Sequence, residues 1–286
     1  MRIATLHGRV VLRRGEGHVD VATASEGRFG PDPQAVYGDW EAFASWARAH
    51  LSGGAHMAAP APTNTEVRWG PPVPRPAQIF AIGLNYRDHV AESGLSIPDE
   101  LAVFTKFASS LTGHRARVAL PEGSVDWEAE LVVVIGRRAH HVSRATAWSH
   151  VAGLTIGQDL SERRLQLTGP APQFSLGKSY PGFAPIGPEL VTVDEFDDPD
   201  DLELGCRLES GEVLQKSRTS QMIFDVPELI VRLSAVCPLL PGDLVFTGTP
   251  AGVGGARNPQ EFLTPGDELL TWIERIGTLR TSLHAS

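Results

Sequence analysis

The sequence predicts a β-rich α+β protein with a small N-terminal domain, and three observations lead there. The chain has 286 residues, 42% of them hydrophobic, enough for an ordinary packed core. Its apolar segments are short and strand-like: IFAIGL, ELVVVIG, HVAGLTIG and DLVFTGTP. The helical patterns NYRDHVAES, LSERRLQL and DVPELIVRLSAV are also short, and Pro and Gly are dense between elements, as in YPGFAPIGP. Strands therefore do not alternate with long helices, which argues against a doubly wound sheet. No internal repeat or low-complexity tract is present.

Taken in order, RIATLHGRVVLRR reads as a strand, a turn at Gly8 and a second strand. DWEAFASWARAHL, from Asp39, places Trp40, Phe43, Trp46 and Ala47 at helical spacing. APAPTNTEVRWGPPVPRPAQ is Pro-rich without periodic apolar signal and reads as a linker or an extended crossing. The expected division is residues 1–72, a small N-terminal domain and linker, and residues 73–286, the main β-rich domain.

Charge is mildly acidic, with 25 Lys plus Arg against 34 Asp plus Glu. A general nucleic-acid binder would need a basic face, so that class is set aside, whereas one small anionic ligand is not. The cysteines, Cys206 and Cys237, form no CxxC motif, which excludes finger-type zinc and suits a reducing compartment. There is no signal-peptide pattern and no membrane span, so a soluble, cytoplasmic protein without a membrane partner is expected.

Candidate chemistry begins in SVDWEAELVVVIGRR. On a strand Asp126, Glu128 and Glu130 share one face, and the following LVVVI is apolar on both faces, so the strand enters the interior. Carboxylates about 6.6 Å apart repel by roughly 2–3 kcal/mol at an effective dielectric of about 20. Near a core they need raised pKa values or a hard divalent cation; a solvated strand end is the bland alternative. Asp159, ending the strand HVAGLTIGQD, is either a capping-box partner of Glu162 or a further carboxylate ligand. Arg163 and Gln166, three apart, project from one helical face and could hold a carboxylate. In NYRDHVAESG, Asn85 is a candidate N-cap and Gly94 a C′ residue, while His89 and Glu92 can hydrogen-bond as an oriented base or as a plain surface pair. Lys178 sits in a loop stiffened by prolines and could neutralise an oxyanion; Lys106 is a weaker case of the same kind. Gly248, Thr249, Gly252 and Gly254 follow a strand, either for close backbone approach or for a tight turn. GTPAGVGGAR is neither a P-loop nor GxGxxG, GKSYP is no nucleophile elbow, and His140, His141 and His150 lack ligand spacing.

From about Ile79 to Leu283 the chain resembles the catalytic domain of the fumarylacetoacetate hydrolase family. The matching stretches are IFAIGLNYRDHVAESG, FTKFASSLTG, VDWEAELVVVIG, GLTIGQDLSERRLQ, GKSYPGFAPIGP, TSQMIFDVPELI and PGDLVFTGTPAGVG. The resemblance implies a mixed-sheet β roll, a homodimer, and Glu128, Glu130 and Asp159 as ligands of Mg²⁺ or Mn²⁺, with Ca²⁺ a third option. It implies that His89 and Glu92 activate water, that Lys178 serves as a catalytic and substrate-binding residue, and that Arg163, Gln166 and Thr249 complete the substrate site. The chain departs from the frequent pattern at Ser161, Glu162 and Arg164, at Pro181 and at Phe107, none of them a proposed ligand. The expected reaction is hydrolysis of a carbon–carbon bond in an acylpyruvate or fumarylpyruvate. Alternatives are an oxaloacetate-type decarboxylase, a 2-oxo diacid isomerase or, less favoured, a non-catalytic keto-acid-binding protein.

Overall fold

The computed structural model describes residues 1–15, 17–53 and 68–286. The first part of the Pro-rich segment read as a linker lies outside them.

The first hairpin forms as its turn residues dictate. Strands Arg2–Leu6 and Arg9–Arg14 meet through His7 (φ 51°) and Gly8 (φ 76°), the left-handed pair that matches the twist of a two-residue hairpin. Asp39 caps helix Trp40–Ser52 by accepting the Ala42 N–H at 3.2 Å, and the buried stripe is Trp40, Phe43, Ala44 and Ala47. Asp225 likewise caps helix Val226–Val236. Pro227 fits the first turn of that helix, and Leu229, Ile230 and Leu233 face the core.

Two mixed sheets organise the chain. Along the larger, neighbours run Gly17–Asp20, Arg9–Arg14, Arg2–Leu6, Ala184–Val191, Val151–Gln158, Ala129–Ile135, Leu244–Phe246, Ile79–Gly83 and Ala102–Thr105. Most of these pairs are antiparallel, but Leu244–Phe246 and Ile79–Gly83 are parallel. The smaller sheet runs Val213–Arg218, Glu203–Leu208, Glu268–Ile273, Gly277–Ala285 and Ala116–Leu120. The fold is therefore α+β, a mixed-sheet roll. Ala129–Ile135 and Val151–Gln158 are buried at every residue, which explains why they are mostly apolar on both faces. The N-terminal strands continue the larger sheet, because Arg2–Leu6 pairs with Ala184–Val191.

Three local expectations give way to other geometry. Asp126 lies on the short strand Val125–Asp126, and the irregular Trp127–Glu128 step parts it from Glu128 and Glu130. Helix LSERRLQL shortens to Arg163–Gln166, capped by Glu162 rather than by Asp159. Asn85 is no N-cap; Tyr86 holds that position in helix Arg87–Glu92 without a side-chain bond.

Candidate active site

The ends of the two central strands bring the acids together. Glu130 lies on Ala129–Ile135, Glu128 just before it, and Asp159 just after Val151–Gln158, its antiparallel neighbour. One carboxylate oxygen from each of Glu128, Glu130 and Asp159 lies within 4.8 Å of the others, and all three residues are buried. Two lysines face them. Lys178 Nζ donates to Glu128 at 2.8 Å, to Asp159 at 2.7 Å and to the Ser161 hydroxyl at 2.7 Å. The buried Lys106 Nζ donates to Asp159 and to the Lys178 carbonyl.

The electrostatics divide the trio. Burial would raise the Glu128 carboxyl, but Lys178 and then Arg163 outweigh it and bring it down to about 2. Glu130 is pushed well above the carboxylate range by burial and by Asp159 and Glu128. Burial lowers the Lys106 ammonium, against the pull of Asp159. For Lys178 the attraction of Asp159 and Glu128 overcomes burial and raises it. Three buried carboxylates with one of them destabilised as the anion, all offering hard oxygen donors, fit a divalent cation. The site can hold such an ion through these three residues.

At Glu128 opens a cavity of about 1140 Å³, lined by His89, Glu92, Glu128, Arg163, Gln166, Lys178 and Thr249 among others. His89 Nδ1 is 2.7 Å from Glu92 Oε1, and Glu92 Oε2 accepts the Gly252 N–H at 2.8 Å. Arg163 donates to Asp126 at 2.8 Å, to Glu128 at 2.6 Å and to Gln166 at 3.0 Å. Thr249 donates its hydroxyl proton to the Ala129 carbonyl at 3.0 Å and accepts from Gln215 at 2.8 Å, so its side-chain donor is already used.

The glycine-rich loop holds the protein's own acids. Gly248 (φ 96°) donates to Glu130 and Gly252 (φ 105°) to Glu92, each at 2.8 Å. Gly254 and Gly255 donate to Asp126 at 2.7 and 2.8 Å. Asp126 thereby ties this loop to Arg163, a part that the alternation argument missed because it assumed a straight strand. A lone lysine says nothing of burial; the sequence signal for Lys106 is the apolar strand residues just before it. Ser161 gave no signal of its own.

A mixed-sheet α+β scaffold with a buried carboxylate trio fit for a divalent cation defines the class of protein. Residues 78–284 match the family description "Fumarylacetoacetate (FAA) hydrolase C-terminal". The chain is 44% identical over 218 residues to "Oxaloacetate tautomerase FAHD2A, mitochondrial" of Bos taurus, covering 76% of this chain and 69% of that protein. A Mycobacterium smegmatis structure provisionally named HpcE superposes with a TM-score of 0.92 at 56% identity, covering 100% of both chains. Maleylpyruvate hydrolase from Sphingobium sp. SYK-6, in complex with manganese(II) ion and pyruvate, gives a TM-score of 0.80 at 27% identity, also over 100% of both chains. The chain belongs to the fumarylacetoacetate hydrolase family and is an enzyme of that family. Among the described residues no helix is long and apolar enough to cross a membrane.

Proposed function

We propose that this enzyme hydrolyses the carbon–carbon bond of a small 1,3-diketo acid, of acylpyruvate or fumarylpyruvate type, to pyruvate and a carboxylic acid. The observation that supports this best is one cavity lined by the hydrogen-bonded His89–Glu92 pair and by Glu128, whose carboxylate groups with the buried Glu130 and Asp159. Glu128, Glu130 and Asp159 would hold Mg²⁺ or Mn²⁺, with Ca²⁺ a third option. When bound, the cation supplies Lewis-acid polarisation of the substrate's carboxylate and 2-oxo oxygens.

The side chains account for the rest. Glu92 is pinned by Gly252 and orients His89, which leaves Nε2 as the free base when Nδ1 carries the proton. Nε2 takes a proton from water, and the hydroxide adds to the distal carbonyl carbon. The bond from that carbon to the methylene breaks, and its electron pair goes to the methylene carbon. His89 returns its proton there, giving pyruvate. Lys178 counters the negative charge at the 2-oxo end; Arg163, Gln166 and Thr249 shape the surrounding wall.

A second reading is favoured by the bovine relative's name, a proton shift on oxaloacetate; decarboxylation of oxaloacetate and isomerisation of an unsaturated 2-oxo diacid are its chemical neighbours. The deciding experiment offers metal-loaded protein acylpyruvates, oxaloacetate and unsaturated 2-oxo diacids, with products identified by mass. Glu92→Gln is expected to slow acylpyruvate cleavage about a hundredfold and decarboxylation far less, since only hydrolysis needs an aimed hydroxide. Equal losses would end that division of labour. A wild type active on oxaloacetate and inert to every acylpyruvate would transfer the assignment to the second reading. We also propose a cytoplasmic homodimer, and a functional division at residue 72 with every cavity residue on its C-terminal side.

A further inference from the structure

The short helix Arg163–Gln166 offers the cavity two adjacent faces. Residues three apart stack on a helix, so Arg163 pairs with Gln166, and Arg164 with Leu167 one step around. The first face is committed within the protein, since Arg163 is bound by Asp126, Glu128 and Gln166. Lys178, another cation of the same wall, is bound by Glu128, Asp159 and Ser161. Arg164 is different. It lines the cavity as an exposed residue, and its guanidinium has no hydrogen-bond or ion-pair partner among the described residues.

The nearest carboxylate in sequence is already used. Glu162 is buried and accepts the backbone N–H groups of Ser124 at 2.8 Å, Arg164 at 3.1 Å and Leu165 at 2.7 Å. Ser124 and Arg164 share its Oε1, so their backbones are anchored side by side on the cavity wall. A side chain on Gly123 would run into the Glu162 carboxylate, so a glycine there is what lets Ser124 come this close. An exposed guanidinium with five donors and no internal acceptor, its backbone anchored next to that of Ser124, is free to receive a planar anion.

We propose that Arg164, with the Ser124 hydroxyl, binds a second carboxylate at the far end of the substrate, and so selects dianionic 2-oxo acids over those with a neutral tail. This rests on the 2-oxo acid reading above, which puts the first carboxylate at the Glu128 and Lys178 end.

The test is calorimetric binding to the full, Mn²⁺-saturated chain of 2-oxoglutarate and 2-oxopentanoate, acids of equal chain length with and without the terminal carboxylate. The wild type is expected to favour the diacid by on the order of tenfold or more, the scale of one charge-assisted hydrogen-bonded pair. Arg164→Gln is expected to erase that preference by weakening the diacid, and Arg164→Lys to restore part of it, keeping the charge but not the fork. Equal wild-type affinities, a preference that survives Arg164→Gln, or an equal loss for both acids would each overturn the subsite. Binding of neither acid by the wild type would instead overturn the 2-oxo acid reading, and the subsite with it.

Discussion

Glu130 is destabilised as an anion by burial and by the neighbouring Asp159 and Glu128. Without a cation it holds a proton to well above the ordinary carboxylate range. If it is a ligand, cation binding must expel that proton, so affinity should rise with pH until Glu130 is ionised in the free protein. Calorimetry of Mn²⁺ binding in two buffers of different ionisation heat should show proton release, up to one per ion, that grows as the pH is lowered from alkaline values. Glu130→Gln should lose that release and most of the affinity; heats independent of buffer would remove Glu130 from this role. His114 bears on stability instead. Burial, then Arg115, Arg280 and Arg13, lowers it to about 3, while Nδ1 accepts the Arg280 N–H at 3.2 Å. Its folded pKa is depressed, so below the unfolded value of about 6.5 the unfolded chain takes up a proton that the native state refuses. The stability this preserves is complete above about pH 6.5 and is lost as pH falls towards 3. His114→Gln should flatten the urea-midpoint curve between pH 6.5 and 5, by at most about 1.4 kcal/mol per pH unit. An unchanged slope would show that His114 protonates freely in the native state.

Between elements, the placement of helix Arg87–Glu92 depends on Asn85 more than on any cap. The buried Asn85 amide donates to the Phe224 carbonyl at 2.9 Å and to the Thr247 carbonyl at 2.7 Å, and accepts the Phe224 N–H at 2.8 Å. It therefore locks the His89 helix to the end of strand Leu244–Phe246 and to the segment before helix Val226–Val236. Gly248 belongs to the same joint: a side chain there would come within 2.8 Å of Asn85 Cβ. Asn85→Ala strands these partners in the interior and should cost about 2–4 kcal/mol. Mn²⁺ affinity should fall much less than the rate of acylpyruvate cleavage, because the trio lies on other elements. A urea midpoint within error of wild type would contradict the locking role. The same joint marks what a sequence discloses. The strands carrying Glu130 and preceding Asp159 are legible because full burial makes most of their residues apolar on both faces. The His89–Glu92 contact was legible because three-residue spacing on a helix is local geometry. Asn85 was read as a cap because that is its commonest local use, whereas its partners lie 139 and 162 residues away. Periodicity carries no information about such partners, nor about the break in strand pairing at Trp127–Glu128.

At the scale of the whole molecule, the proposed division at residue 72 separates the cavity from a segment that shares its core. Trp40 stacks on Tyr37 with ring centroids 5.6 Å apart, and Tyr37 donates to the Pro72 carbonyl at 3.2 Å. The Trp40 indole also covers Gly136, at the end of the strand that carries Glu130; a Cβ there would lie 2.7 Å from Trp40 Cδ1. One apolar cluster joins Trp40, Phe43 and Leu12 to Val132, Val134 and Leu190. Shared packing of this kind couples unfolding, since neither part keeps its apolar surface dry without the other. Trp40→Ala should therefore destabilise the entire chain by about 3–5 kcal/mol, the usual loss for a large buried aromatic. Scanning calorimetry should show one transition moved down as a unit. Mn²⁺ affinity at low temperature should stay within about twofold of wild type, because the trio lies beyond the contact and distant sites behave almost independently. Two transitions, with only the earlier one displaced by the substitution, would mean that the N-terminal residues unfold on their own and that the division is thermodynamic as well as functional.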